Sequence, residues 1–229
     1  MLSRLRTIAA CNPTIYYYSM CLFRRSDLWY FPNKDTELFI AAYPRSGNDY
    51  AKQLAKYFFP ELRISSHFHR PGAFHYALKI GVPVVAVIRE PLGCVSSCMV
   101  KRRSELSLSS FPQYPMDEYL VYHKELLSVV DQVPIVTFDQ LVKDGQPFVD
   151  KVGNLVDRGA EELLMQQANE KVRVKLEDPS SQANQVPDTA KGPNKEKEAL
   201  KLDALKLIES DKEFFLEATQ LYQDLASYA

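Results

Sequence analysis

The sequence predicts a three-layer α/β/α fold around a central parallel sheet, and three observations predict it. Residues 38–43, 83–88 and 133–138 are runs of strand length that are almost purely apolar rather than alternating, the pattern of strands buried on both faces. The first two run directly into residues at helical spacing, and the third follows a helical stretch, as in right-handed βαβ crossovers. The length, 229 residues, suits a single domain of residues 1–229 with a sizeable core.

Taken in order, residues 1–30 form an N-terminal aromatic and basic arm. They hold Arg4, Arg6, Arg24 and Arg25 and no acidic residue before Asp27. Asn12-Pro13 interrupts them, so they are expected to pack Tyr16, Tyr17, Tyr18, Phe23 and Trp29 on the domain rather than to act as a transit segment. The first strand ends in Tyr43-Pro44-Arg45-Ser46-Gly47, after which Ala51, Leu54, Ala55 and Phe58 mark a helix. The second ends in Arg89-Glu90-Pro91, where proline suits the first turn of a helix carrying Val95, Cys98, Met99 and Arg102. A third helix presents Met116, Tyr119, Leu120, His123, Leu127 and Val130 on one face. Residues 101–115 and 177–197 read as loops able to cover the carboxyl edge of the sheet. Residues 198–229 read as a charged helical region burying Ala204, Leu207, Ile208, Phe215, Ala218 and Leu225.

Composition narrows the function. Lys and Arg number 28 against 29 Asp and Glu, a net charge of −1, so a chain built to coat nucleic acid is excluded and any basic site must be local. The four cysteines show no paired framework and no zinc-ligand spacing, which points to free thiols and a reducing, cytoplasmic setting. No apolar stretch approaches the ~20 residues of a membrane-spanning helix.

The most informative stretch is the turn from Tyr43 to Tyr50. Backbone N–H groups at a helix start, with Arg45 and Ser46 beside them, make an anion site. It is not a Walker A loop, because no Gly-x-x-x-x-Gly-Lys-Ser/Thr occurs, so the usual lysine and magnesium-binding hydroxyl are absent.

Here the chain resembles the sulfotransferases that use 3′-phosphoadenosine 5′-phosphosulfate (PAPS). Tyr43-Pro44-Arg45-Ser46-Gly47-Asn48-Asp49-Tyr50 stands where that family has Tyr-Pro-Lys-Ser-Gly-Thr-Thr-Trp. Arg89-Glu90-Pro91, with Ser97 eight positions after the arginine, is similar to its second signature, and Ile64-Ser65-Ser66-His67 to the strand that ends in its histidine. The resemblance spans residues 38–141.

It implies a P-loop-like α/β nucleotide fold in which Arg45, Ser46, Gly47, Asn48 and Asp49 surround the 5′-phosphosulfate, Tyr50 stacks on adenine, and Arg89 and Ser97 hold the 3′-phosphate, with Lys191 a further candidate. It implies His67 as the base that deprotonates a hydroxyl or amine acceptor, with His69 as the alternative, and Arg45 as the charge that stabilises the leaving phosphate. No metal takes part in that scheme. The chain departs from the pattern at Asp49, which brings negative charge to an anion site, at Phe138-Asp139-Gln140-Leu141 in place of Tyr-Glu-Asp-Leu, and in lacking the C-terminal glycine motif. A kinase on a degenerate P-loop and a non-catalytic binding or scaffold descendant are the other readings. The acceptor, a small molecule or carbohydrate, would be met by the N-terminal aromatics, residues 70–77 and residues 101–115. Read without the resemblance, His75 and His123 are core histidines, and Lys101-Arg102-Arg103 is a solvated helix end.

Overall fold

The computed structural model describes residues 10–102, 113–159, 165–177 and 195–229. Four strands, β1 (Leu38–Ala42), β2 (Ile64–Ser65), β3 (Val84–Ile88) and β4 (Ile135–Thr137), form one parallel sheet in the order β2-β1-β3-β4. Phe39 to Ala42 pair with Val84 to Val87, and Ala86 to Ile88 with Ile135 to Thr137. Every residue of β1 and β3 is buried, as their uninterrupted apolar character predicts. Because side chains alternate along a strand, Phe39 and Ala41 enter one core and Leu38, Ile40 and Ala42 the other. The sheet is thus covered on both faces, and the predicted α/β layering is what the chain adopts.

One layer contains α1 (Pro13–Phe23), α3 (Pro71–Lys79), α4 (Pro91–Arg102), α5 (Gln113–Leu127), α9 (Lys195–Ser210) and α10 (Lys212–Ala226). The other contains α2 (Asn48–Phe58), α7 (Gln146–Val156) and α8 (Met165–Glu177). The short α6 (Phe138–Lys143) follows β4 directly, started by a capping box in which Thr137 and Gln140 satisfy each other's backbone N–H.

Several sequence expectations shift in detail. Asn12 does interrupt the arm, ending the helical residues 10–11, and it starts α1: its side chain accepts from Thr14 and Ile15 N–H, and Pro13 occupies the first turn. Tyr16 and Tyr17 pack as expected, Tyr17 stacking on Tyr76 at 4.8 Å, but Tyr18 and Phe23 are mostly exposed. The charged C-terminal region is two helices, because the Asp211 side chain caps a new start by accepting from Phe214 N–H. That restart changes the helical phase, so Phe214 rather than Phe215 is buried and Leu207 is exposed. Residues 101–115 are not one loop: Lys101 and Arg102 close α4 and residues 113–115 open α5, while 103–112 lie outside the described residues. The second predicted loop lies outside them over 178–194, and Lys191 with it. All four cysteines are free. No helix among the described residues is long and apolar enough to cross a membrane.

His123 is fully buried, donating from Nδ1 to the Tyr119 carbonyl at 2.8 Å, and burial pushes its pKa down to about 4. His69 is pushed to about 4 mainly by burial as well. Both stay neutral in the folded chain while the unfolded chain protonates near 6.5, so stability is complete above that value and falls as pH drops from 6.5 toward 4. The expected slope is about 1.4 kcal/mol per pH unit for each histidine. Urea midpoints measured at pH 7, 6 and 5, where most carboxylates are still ionised, are expected to fall steadily; a flat profile refutes this account.

Candidate active site

The strand order places the carboxyl ends of β1 and β3 side by side, and the predicted residues meet there. β1 gives way to Tyr43, whose hydroxyl donates to the Pro115 carbonyl at 2.8 Å and fixes the turn against α5. The next residues reverse sharply. Arg45 has φ 70° and Gly47 φ 96°, both left-handed, and Ser46 N–H bonds back to the Tyr43 carbonyl. Gly47 is then the cap of α2 and offers no side chain to its first N–H groups.

The glycine is required twice over. Its φ is unfavourable for other residues, and a Cβ would stand 2.8 Å from the Phe138 ring. Gly47→Ala is expected to cost about 2 kcal/mol in urea unfolding; a change below about 0.5 kcal/mol, the scatter of ordinary surface substitutions, contradicts it.

Two side chains in this turn are buried without the partners that buried polar groups normally have. Asn48 is 6% exposed with neither Oδ1 nor Nδ2 hydrogen-bonded, and fully buried Ser46 Oγ has only the weakly bonding Cys94 thiol nearby. Together with the uncapped helix start they form a cradle of hydrogen-bonding groups suited to an anion.

The arginines converge on the same cradle. Arg45 Nε donates to Ser97 Oγ at 3.0 Å, and Arg89 Nη1 donates to the Arg45 carbonyl at 3.2 Å. Arg89 also lies 4.3 Å from the centre of the Phe138 ring and pairs with Glu90 at 3.4 Å. Phe138 therefore packs on Gly47 with one part of its ring and supports Arg89 with its face, a role the sequence did not suggest for the position where a tyrosine was missing. Ser97, expected beside Arg89 on the 3′-phosphate, has its hydroxyl bonded to Arg45 here. Tyr50 points its hydroxyl to Asn169 Oδ1 at 2.8 Å, joining α2 to α8.

His67 is not on a strand, since β2 ends at Ser65, and it has φ 70°. His67 Nε2 lies 2.9 Å from Asp49 Oδ1, and Nδ1 lies 2.8 Å from Ser66 Oγ. A carboxylate only accepts, so Nε2 carries the proton and Nδ1 takes the Ser66 hydroxyl's hydrogen. Asp49, awkward in an anion site, is thus turned to the imidazole. His69 meets His67 edge-on, with ring centres 6.0 Å apart, and donates from Nδ1 to the Ala42 carbonyl at 2.7 Å. Arg45 and His67 are two of the three non-glycine residues with positive φ among the described residues, and such strained conformations gather at functional sites.

Sequence reasoning also missed a group on the far side of His67. Arg70 and Arg102 both pair with Glu118, whose side chain is 10% exposed, and Arg70 donates to the Tyr114 hydroxyl. Arg102 is therefore not a solvated helix end. Among the described residues no cluster of His, Cys, Asp and Glu is arranged to hold a metal ion.

No family model matches the chain, and no curated protein matches it in sequence. Its fold is sulfotransferase-like. The chain is similar to a solved mouse sulfotransferase, SULT7A1 complexed with PAP, with a TM-score of 0.52 over 89% of this chain and 93% of that one, at 12% sequence identity.

Proposed function

We propose that the protein transfers a sulfuryl group from PAPS to a hydroxyl or amine of an acceptor, by in-line displacement with His67 as the base. The observation that carries this reading is the cradle itself: unpartnered Asn48 and Ser46 side chains at an uncapped helix start, flanked by Arg45 and Arg89. The fold shared with a PAP-bound sulfotransferase supports it.

Arg45, Ser46, Asn48 and the first N–H groups of α2 bind the 5′-phosphosulfate, and Arg89 with Ser97 binds the 3′-phosphate through charge-assisted bonds. Arg45 stabilises charge that develops on the leaving phosphate oxygen. Asp49 holds the His67 proton on Nε2, which leaves Nδ1 as the basic atom. The acceptor O–H replaces the Ser66 hydroxyl at Nδ1 and gives up its proton there as its oxygen attacks sulfur. Tyr50 and Lys191 remain candidates for the nucleotide. We place the reaction in the cytoplasm.

Calorimetric titration with 3′-phosphoadenosine 5′-phosphate (PAP) tests the reading. Binding is expected at micromolar ligand, unchanged by EDTA or magnesium, and stronger than that of ATP. No binding at millimolar PAP, or binding of ATP that depends on magnesium, overturns it in favour of a kinase-like site.

A further inference from the structure

Resting on that reading, we infer that the acceptor is a ring-bearing hydroxyl compound that already carries an anionic substituent such as a carboxylate, phosphate or sulfate. A cleft of about 300 Å³ opens on His67, between α1, residues 67–70 and the end of α4. It is the space from which an acceptor oxygen reaches the imidazole. Its charge is uneven. Three guanidiniums, Arg24, Arg70 and Arg102, line it. Two carboxylates answer them: Glu118 is shared by Arg70 and Arg102, and Asp27 pairs with Arg24.

Among the described residues Arg70 and Arg102 thus share a single carboxylate, so this pair carries one positive charge more than its partner answers. Asp49 is paired with His67, not with either of these two guanidiniums. His69, which does line it, is neutral near pH 7, since burial and then the nearby positive groups, Lys101 and Arg102 among them, oppose its protonation.

Placement makes this charge specific rather than diffuse. Arg70 and Arg102 are only a third or less exposed, so a charge beside them is poorly screened. Glu118 holds both guanidiniums in place, and among the described residues Glu118 and Tyr114 take up a minority of their N–H donors. A fixed, under-used pair of guanidiniums is a preformed fork for a carboxylate or phosphate. Tyr16, Met20 and Phe23 of α1 supply apolar wall on the opposite side, suited to the face of a ring. A neutral acceptor would leave the extra charge without a counter-ion when it excludes water, which costs free energy.

The test measures sulfuryl transfer from PAPS to matched acceptors differing in one charge: 4-nitrophenyl β-glucuronide against the glucoside, 4-hydroxyphenylacetate against 4-hydroxyphenylethanol, and galactose 6-phosphate against galactose. In at least one pair the acidic member is expected to lead in kcat/KM by about tenfold or more, the worth of one charge-assisted hydrogen bond. Arg102→Gln and Arg70→Gln are expected to narrow that ratio, and PAP titration and circular dichroism of both variants show whether the fold and the nucleotide edge persist. The ratio in the unaltered protein decides the matter even where a variant does not fold. Preference for the neutral member in every pair, or no transfer to any acidic member by protein that binds PAP, overturns the inference. Failure to bind PAP overturns the sulfotransferase reading instead.

Discussion

Arg89→Ala is expected to weaken PAP binding about a hundredfold while leaving the fold nearly as stable as before. Arg89 follows a fully buried strand and is aimed at the cradle by the Arg45 carbonyl and the Phe138 ring, so its position is set before any ligand arrives. A preplaced guanidinium spends little entropy on binding. Losing one charge-assisted fork costs roughly 2–3 kcal/mol, and 1.4 kcal/mol is tenfold in affinity. Its own contacts in the fold, a long pair with half-exposed Glu90, one carbonyl bond and the face of the Phe138 ring, contribute modestly to stability. Arg89→Lys keeps the charge and loses the fork, so an intermediate loss is expected. A dissociation constant unchanged in Arg89→Ala would remove this residue from the nucleotide site, and a parallel fall in thermal midpoint would mark its role as structural.

The second large effect concerns transfer rather than binding. His67→Asn is expected to lower kcat by about 10²–10⁴-fold with PAP affinity unchanged, as removal of a general base does. Asp49→Asn is expected to lower kcat by about tenfold or more, also without change in PAP affinity, because an amide no longer dictates which imidazole nitrogen holds the proton. His69, the alternative base, is expected to serve less well: burial pushes its pKa down to about 4, and its Nδ1 is tied to the Ala42 carbonyl. The readout is single-turnover transfer of labelled sulfate. Full activity in His67→Asn would give the proton to another group, and a loss of PAP binding in Asp49→Asn would make Asp49 part of the cradle.

The first βαβ unit was legible because its signals are local. An unbroken apolar run can only be a strand with both faces covered, and Gly47 stands where the turn needs a left-handed residue. That Arg45, Ser46, Asn48, Arg89 and Ser97 gather at one sheet edge was legible for the same reason: each lies at a short, fixed distance from the end of such a strand. What escaped depends on approach through space. Asp49 and His67 are 18 residues apart and meet because His67 adopts φ 70°, which no residue pattern announces. The Arg70, Arg102 and Glu118 group is assembled from a loop and two helices, so its members read singly as surface charges. Phe138 looked like a lost hydroxyl, and only the packing of β4 beside β3 makes it a platform for Arg89.

Finally, the cleft beside His67 draws one wall from α1, which precedes every strand of the sheet, whereas the cradle is made wholly by chain that follows. On the proposed function, the apolar wall facing the acceptor comes from chain that precedes the donor cradle, while Arg70 and Arg102 come from chain that follows its turn. Residues 13–24 reach the rest of the molecule mainly through α3, so substitutions there reshape one wall and leave the turn at Gly47 untouched. If the proposed function holds, the arm is a replaceable part in evolutionary terms: a lineage exchanging it would alter one wall of the acceptor cleft and keep the cradle that delivers the group.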